Sequence, residues 1–396
     1  MGRTDGRGEG ETIENCRLVI GDCKVEKQNN IVTLTKAIGI ILMVMGHVVP
    51  PDHIAFSVIY TFHMPLFFIM SGYCFKEKYL DDAKQFVVRK IKGIYVPFVA
   101  FSMLCLALHN VFCHFYLYDP TWSYGWKDYV WETGRIVTRM HNAGGMFGTA
   151  WFLKELFWGN LIFYATLKLV KWVIGHRRLV NGNLNGRLSV ELATVIGLLM
   201  LTEIVDVFGL RIPYFCITTK SVRAAFFIAF GYMWKQKEWQ LNKYAVWIGG
   251  VVSISAVLLM ENAGCLTSGQ IRMTIRLIPA ILGTMSVFEL CRLIVESRKL
   301  IVGYIERGLE YVGQHTLSIM LLHFMSFKLV TYGIIRMHHL PIDRLYEFPV
   351  LYDYTNGGGA LFLYIFVGIC IPLMCVWVWQ WGLEKVKKLK TERVKE

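Results

Sequence analysis

The chain has 396 residues, of which 55% are apolar and 18% are charged. A soluble domain usually has about a quarter of its residues charged, so this composition excludes an ordinary soluble protein. The apolar residues gather into long blocks, and about 20 such residues cross the hydrocarbon layer as a helix. Inside lipid the backbone must satisfy its own hydrogen bonds, and the alternating pattern of a membrane barrel is absent. We therefore predict an all-α, polytopic helical membrane protein.

The formal charge of +13 would favour nucleic-acid binding in a soluble chain, but here the basic residues flank the apolar blocks. We therefore expect the lipid bilayer as the partner and no nucleic acid. The ten cysteines form no CxxC pair, and most lie in apolar blocks where a thiol behaves as a small hydrophobe. His109, Cys113 and His114 have ligand-like spacing, but His114 lies off the face of the other two. We expect no metal site.

Along the chain, residues 1–30 form a polar tail without the features of a cleavable signal peptide, and residues 385–396 form a basic tail. Between them, residues 31–384 form one membrane domain with about ten predicted transmembrane helices. The apolar blocks lie at 37–51, 54–75, 94–118, 147–170, 188–208, 222–234, 244–260, 273–295, 312–335 and 360–383. The block at 222–234 is the shortest, and it begins next to Arg223.

The distribution of basic residues sets the predicted orientation. Most of the 42 lysines and arginines fall in the two tails and in alternate connecting segments, as the positive-inside rule requires of cytoplasmic segments. An odd number of spans would place the basic C-terminal segment outside. We therefore predict an even number of spans and cytoplasmic termini, in the inner (cytoplasmic) membrane of the cell.

The first apolar block has a lysine at its inner mouth and a histidine deep inside. Ten residues separate Lys36 from His47, so the helical rise places His47 about 16 Å deeper, near the midplane or just past it. Ionisable side chains within a span are costly, which makes each one a functional candidate. A neutral imidazole at this depth can accept a proton as a general base. The alternative is a structural histidine bonded to a neighbouring helix.

Other candidates follow in the later blocks. His63 lies towards the outer side of the second block. Arg89 and Lys92 stand at the inner mouth of the third, where they either anchor the orientation or bind the phosphates of an anion. Trp151 and Glu155 lie near the outer end of the fourth block, where sugar binding and an ion pair are both open. His323 lies in the ninth block at a depth comparable to His47, which fits structural support or catalytic assistance.

Taken in order, these residues resemble the acyltransferase-3 family of polytopic membrane acyltransferases, and more closely its fucose-4-O-acetylase-like branch. The resemblance covers about residues 31–330. The matching stretches are Lys36 with His47, FHMPLFFIMSGY at 62–73, Arg89 with Lys92, Trp151-Phe-Leu-Lys-Glu155, and Gly313-Gln-His-Thr-Leu-Ser318 followed by Leu322-His323. Lys36 and Lys92 stand where many members have arginine, and lysine keeps the charge without the bidentate fork.

The resemblance implies a membrane O-acyltransferase with acetyl-CoA as the acyl-donor substrate and no bound cofactor. The implied acceptor is a hydroxyl of a surface glycan or a lipid-linked sugar. In this interpretation His47 is the general base, and the donor's phosphates are held by Lys36, Arg89 and Lys92. The acceptor is positioned or supported by a second group: His63, Trp151, Glu155 and His323. Two alternatives stay open at this point, a glycan or lipid transporter or flippase without acyl transfer and a receptor-like module that binds without reacting.

Overall fold

The computed structural model describes residues 8–142, 144–181, 189–210, 212, 217–239, 242–262, 273–297, 300–356 and 358–393. Over these residues every regular element is a helix, apart from one isolated bridge between Ile212 and Ile217, so the predicted all-α class is confirmed. In chain order the α-helices are α1 (Gly8–Val48), α2 (Ile54–Tyr73), α3 (Ala83–Lys90), α4 (Val96–Ala107), α5 (His109–His114), α6 (Trp126–Arg139), α7 (Trp151–Asn181), α8 (Val190–Val207), α9 (Thr219–Gln236), α10 (Lys243–Asn262), α11 (Met273–Glu296), α12 (Leu300–Gln314), α13 (Thr316–Met337), α14 (Tyr352–Thr355) and α15 (Gly359–Arg393).

Six helical segments among the described residues are long and apolar enough to cross a membrane, which makes this a multi-pass membrane protein. They are Gln28–Val48, Ile54–Tyr73, Ala83–Ala107, Leu277–Glu296, Thr316–Met337 and Gly359–Val386. Among the other predicted spans, α7, α8 and α9 each carry three or more charged residues, and α10 contains the shorter apolar stretch Trp247–Met260. The total of ten spans and the cytoplasmic termini remain predictions.

The third apolar segment differs at both ends from the predicted block at 94–118. It runs from Ala83 to Ala107, and the helix breaks at Leu108 before α5. A π turn at Ile91–Tyr95 joins α3 to α4, with the Val96 N–H donating to the carbonyl of Ile91. Pro97 explains this turn, because proline lacks an N–H and its ring crowds the carbonyl four residues earlier in a regular helix.

Helix also extends into segments predicted as tails and loops. The first helix begins at Gly8 and the last continues to Arg393, so both ends of the chain are helical beyond the membrane domain predicted at 31–384. α6 lies between the predicted apolar blocks at 94–118 and 147–170, and α12 lies mostly between those at 273–295 and 312–335. Both are amphipathic, and the polar face of such a helix keeps its mean hydropathy below that of a span.

Two glycines bring α2 and α9 into backbone contact. A Cβ atom on Gly72 would lie 1.8 Å from the carbonyl oxygen of Ile228, and one on Gly231 would lie 1.9 Å from that of Ile69. Small residues permit this close approach between membrane helices. α9 is buried along nearly all of residues 221–234, where it packs against α2, α7 and α8. The shortest predicted block is thus a buried helix of the bundle.

A buried lysine fastens the segment that follows α13. Lys328 is 3% exposed, and its ammonium donates hydrogen bonds to the carbonyl oxygens of Leu345 and Glu347. Its charge is also 5.3 Å from the centroid of the Phe348 ring. Phe348 in turn packs edge-on against Phe324 of α13, with centroids 4.6 Å apart. These contacts hold the 342–349 segment beside the histidines described below.

Candidate active site

His47 lies one residue before the end of α1, and it faces α13. Buried residues of α1 such as Ala37, Ile40 and Val44 recur every three or four positions, which turns one face of the helix towards the bundle. The His47 imidazole stacks on that of His323, with centroids 5.4 Å apart and ring planes inclined by 28°. The comparable depth predicted for these two histidines therefore corresponds to direct ring contact.

Three aromatic residues surround the His47 ring and its backbone. The Tyr60 hydroxyl is 3.1 Å from Nδ1 of His47, and the Phe324 ring lies edge-on with its centroid 4.8 Å away. Tyr352 of α14 donates its hydroxyl to the backbone carbonyl of His47 at 3.4 Å. Burial raises the pKa of Tyr352, so this hydroxyl keeps its proton at neutral pH. The ring of His47 is held from two helices and its backbone from a third.

The tautomers of His63 and His323 follow from their hydrogen bonds. Nδ1 of His63 is 2.7 Å from the carbonyl oxygen of Ile59, and Nδ1 of His323 is 2.9 Å from that of Ile319. A carbonyl oxygen only accepts, so Nδ1 carries the proton in each ring and Nε2 of each neutral ring has a lone pair. The Nε2 atom of His323 is buried and has no hydrogen-bond partner among the described residues. Tyr60 links His63 to the stacked rings of His47 and His323, because the ring centroids of Tyr60 and His63 are 5.0 Å apart.

A cavity of about 550 Å³ opens below the stacked histidines. Among its lining residues, Met43 of α1 and Met320 of α13 lie nearest in sequence to the two histidines. Met43 precedes His47 by four residues and Met320 precedes His323 by three, so the cavity ends one helical turn, about 5.4 Å, from both rings. Thr316 lines it one turn further from the rings. The cavity therefore runs along α1 and α13 towards the imidazole pair.

The mouth of this cavity is basic. Lys36, Lys76, Arg89 and Lys90 line it, and no Asp or Glu among the described residues does. Such a surface attracts a polyanion. Lys92, the second basic residue of the R-x-x-R-like pair, is exposed and is not part of the lining. The structure thus gathers Lys36 and Arg89 around one cavity together with two lysines that the sequence did not single out.

Buried aromatic rings set the positions of these cations. The Arg89 guanidinium lies over the Tyr79 ring, 5.9 Å from its centroid, and the Lys90 ammonium lies 5.4 Å from the centroid of Phe86. Phe86 is stacked on Tyr164 of α7, with centroids 4.4 Å apart. Cation–π contacts of this kind contribute about 0.5–1 kcal/mol at exposed sites, enough to bias a side chain towards one direction.

The remaining predicted acceptor residues face α9 instead of the histidines. Glu155 is 2% exposed, lies 3.2 Å from the Lys154 ammonium and accepts a hydrogen bond from the Ser221 hydroxyl. The Trp151 ring lies 5.3 Å from the ammonium of Lys220. Of the two readings open for Glu155, the structure shows the ion pair. Within the described residues, no group of three or more His, Cys, Asp or Glu side chains is arranged to hold a metal ion.

Sequence reasoning missed Tyr60, Lys76 and Lys90. Tyr60 precedes His63 by three residues, and such pairs share a helix face, so a hydroxyl one turn before a buried histidine was an available signal. No sequence signal marks Lys90, because it stands in a run of basic residues that would serve equally well to anchor the orientation of the chain. Only the packing of the Phe86 ring distinguishes it.

Comparison with known proteins identifies the family of the chain. The model of an acyltransferase domain, that of the acyltransferase-3 family, matches residues 29–377, which is most of the chain. The match includes residues 29–48 of α1, the basic cavity mouth and α13. No curated protein and no solved structure is significantly similar to the chain. The chain belongs to the acyltransferase-3 family, and it is a multi-pass membrane acyltransferase.

Proposed function

We propose that this acyltransferase is an O-acetyltransferase that uses acetyl-CoA to modify a hydroxyl of a surface glycan or a lipid-linked sugar. One observation carries the proposal: a cavity with a basic mouth ends one helical turn from the stacked rings of His47 and His323. The resemblance to the fucose-4-O-acetylase-like branch supports the choice of acetyl group and sugar hydroxyl. The family match itself is to the broader acyltransferase domain.

In this proposal the donor lies in the cavity. Its phosphates bind Lys36 and Arg89 at the mouth, with Lys90 as a third cation. Lys92 contributes at longer range, from the exposed side of the same segment. The pantetheine arm runs along the apolar wall, and the thioester passes Met43 to reach the histidines. A methionine side chain is flexible and unbranched, so it can move aside for a substrate at little cost.

The proposed chemistry uses His47 as the general base. Nε2 of His47 takes the proton of the acceptor hydroxyl, while Nδ1 keeps its own proton and donates it to the Tyr60 hydroxyl oxygen. The acceptor oxygen forms a bond to the thioester carbonyl carbon, the carbon–sulfur bond breaks, and the proton passes to the leaving thiolate of CoA. His323 supports the His47 ring through the stack, and its buried Nε2 makes it the rival base. His63 orients Tyr60 from the other side.

The two substrates approach the histidines from different sides. The donor cavity lies on the Met43 side, whereas Phe324 contacts the His47 ring outside the lining of that cavity and carries Phe348 packed against it. An acceptor that displaces these two aromatic rings meets the thioester at His47 without a relay of the acyl group. With cytoplasmic termini and ten spans, the donor side is the cytoplasm and the acceptor side is the outer face of the inner membrane. Trp151 and Glu155 then support α7 and α9 on the acceptor side.

The test is turnover by the purified protein in nanodiscs. It is supplied with radiolabelled acetyl-CoA and a glycolipid extract from the producing cells. We expect free CoA to appear in proportion to label transferred to the glycolipid fraction, and mass spectrometry of surface glycans to show acetyl groups lost when the gene is deleted. Intact acetyl-CoA, together with glycolipid that changes leaflet, would establish the transporter alternative. Bound ligand with neither change would establish the receptor alternative.

A further inference from the structure

A second cavity lies in the segment between α5 and α7, outside the site described above. Its volume is about 350 Å³, within the usual range for small-ligand sites. Aromatic rings dominate the lining, together with one serine hydroxyl and one carboxylate: Tyr118, Trp122, Ser123, Tyr124 and Asp128. No Lys or Arg among the described residues lines it. We refer to it below as the aromatic pocket.

Hydrogen bonds fix the walls of the aromatic pocket. His109 donates from Nε2 to the carbonyl of Trp122 at 2.8 Å, and its ring stacks on that of Tyr124 with centroids 3.7 Å apart. Asn110 exchanges two hydrogen bonds with the backbone of Tyr124. Asp128 accepts the Gly125 N–H at 2.9 Å. The rings of His109 and Tyr124 and the backbone of Trp122 are therefore positioned before any ligand arrives, which reduces the entropy lost on binding.

Two glycines keep one wall of the pocket open. Gly144 and Gly145 both have positive φ, at 81° and 57°, which favours glycine over residues with a side chain. A Cβ atom on Gly145 would lie 2.5 Å from the Tyr118 ring. The adjacent N–H of Met146 donates to the Tyr118 hydroxyl at 3.0 Å. The Gly145 backbone and the Tyr118 ring are thus in close contact. A side chain at either glycine would be strained by the positive φ, so the pocket wall is formed by backbone here.

The pocket chemistry fits a carbohydrate. Trp122 is 61% exposed, so a flat ring face is available for the C–H face of a pyranose, and the Asp128 carboxylate and Ser123 hydroxyl can bond sugar hydroxyls. An anion would meet a carboxylate without a compensating cation in the lining. A purely apolar ligand would leave those polar groups without partners, which costs free energy.

The same chain segment connects the aromatic pocket to the histidines. The 3-10 turn at Gly145–Ala150 begins at the pocket wall. Further along the turn, a Cβ atom on Gly148 would lie 3.2 Å from the Phe324 ring, which packs on His47. The Thr149 hydroxyl donates to the carbonyl of Met320 at 2.9 Å. A sugar in the pocket is therefore one short segment from the proposed reaction centre.

We propose that the aromatic pocket is a glycan subsite, in which a pyranose ring of the acceptor stacks on Trp122 and bonds to Asp128. This inference rests on the proposed function for its role in acyl transfer, but the binding itself requires no donor and no turnover. An occupied subsite holds a neighbouring sugar unit while the reacting hydroxyl reaches His47. The 145–150 turn would position that hydroxyl.

The test compares Trp122→Ala with Trp122→Phe and with Trp126→Ala as a matched control. Trp126 is 73% exposed on the adjacent helix and lies outside the aromatic pocket. Binding of the purified, detergent-solubilised protein to a panel of immobilised oligosaccharides is measured without acetyl-CoA. We expect Trp122→Ala to weaken binding about tenfold, Trp122→Phe to retain most of it and Trp126→Ala to retain all of it. In turnover, Trp122→Ala should raise the acceptor KM about tenfold and leave the donor KM unchanged.

The outcomes separate this inference from the proposed function. Glycan binding that depends on Trp122 in a protein without acetyl transfer would retain the subsite and reject the O-acetyltransferase. Acetyl transfer with unchanged acceptor KM and binding in Trp122→Ala would reject the subsite and retain the enzyme. Absence of wild-type binding to every oligosaccharide of the panel would overturn the subsite, and so would an equal loss in Trp126→Ala.

Discussion

Replacing Arg89 by glutamine should weaken donor binding, whereas the same change at Lys92 should have little effect. Both residues belong to the R-x-x-R-like pair and carry the same charge. Only Arg89 lines the basic cavity, where its guanidinium is held over Tyr79, and Lys92 is exposed outside it. The two substitutions change net charge equally, so general electrostatic attraction is matched. A difference between them measures direct contact with the donor.

The expected size follows from the position of Arg89 at the solvent edge of the cavity. A hydrogen bond to a charged group contributes about 1.5–3 kcal/mol, and solvent exposure reduces this to about 1–2 kcal/mol. That range corresponds to a rise of about 5- to 30-fold in the donor Kd. Lys92→Gln should raise Kd less than about twofold at moderate ionic strength, because Lys92 is exposed outside the cavity lining and salt screens an exposed charge.

Isothermal titration of purified protein in nanodiscs with CoA measures these constants, and it does not depend on turnover. Titrations at low and high salt should show the Arg89→Gln difference shrinking as salt screens the phosphates. Thermal unfolding of each variant controls for folding. Equal effects of Arg89→Gln and Lys92→Gln, or no effect of either, would refute the assignment of the cavity mouth to the donor's phosphates.

Three further predictions concern the base, the helix packing and the topology. Tyr60→Phe removes a hydrogen bond worth about 0.5–1.5 kcal/mol, so kcat should fall about 2- to 13-fold with donor KM unchanged. Steady-state kinetics with unaltered kcat would contradict its role at His47. Gly72→Ala places a Cβ atom against the α9 backbone, so the free energy of unfolding should drop by at least about 1–3 kcal/mol and Tm in detergent should fall. Gly175 has open space around it, so Gly175→Ala should leave Tm unchanged. Tags at both termini should be reached by protease only after the cells are opened, because both tails carry several lysines and arginines, which the positive-inside rule places in the cytoplasm. Cleavage in intact cells would overturn the even number of spans.

Hydropathy and helical rise were enough to predict several features of this protein. The long apolar blocks identify the helical membrane class, because a run of about twenty apolar residues is long enough to cross the hydrocarbon layer as a helix. Depth along the helix placed His47 and His323 at comparable levels, and the structure stacks their rings. The order of basic residues and histidines supported the family, which the match over residues 29–377 establishes.

Other features depend on packing and could not be read from the sequence. An R-x-x-K spacing places both cations on similar faces of a regular α-helix. The π turn beginning at Ile91 contains more residues per turn, so it rotates Lys92 relative to Arg89. α6 and α12 were missed because an amphipathic helix of modest hydropathy looks like a connecting segment. The aromatic pocket joins Trp122 to Gly145 across more than 20 residues of sequence, a contact that only tertiary structure creates.

The central claim is that His47 removes the proton from the acceptor hydroxyl, and acetyl transfer by His47→Gln protein tests it most directly. Glutamine can keep a hydrogen bond to Tyr60 but cannot accept a proton at neutral pH, so it separates a base from a structural side chain. We expect His47→Gln and His47→Ala to lose activity alike, by about 10²–10⁴-fold, with CoA binding and Tm near those of the wild type. A well-folded His47→Gln protein that transfers acetyl groups at nearly the wild-type rate would contradict the claim and direct attention to His323.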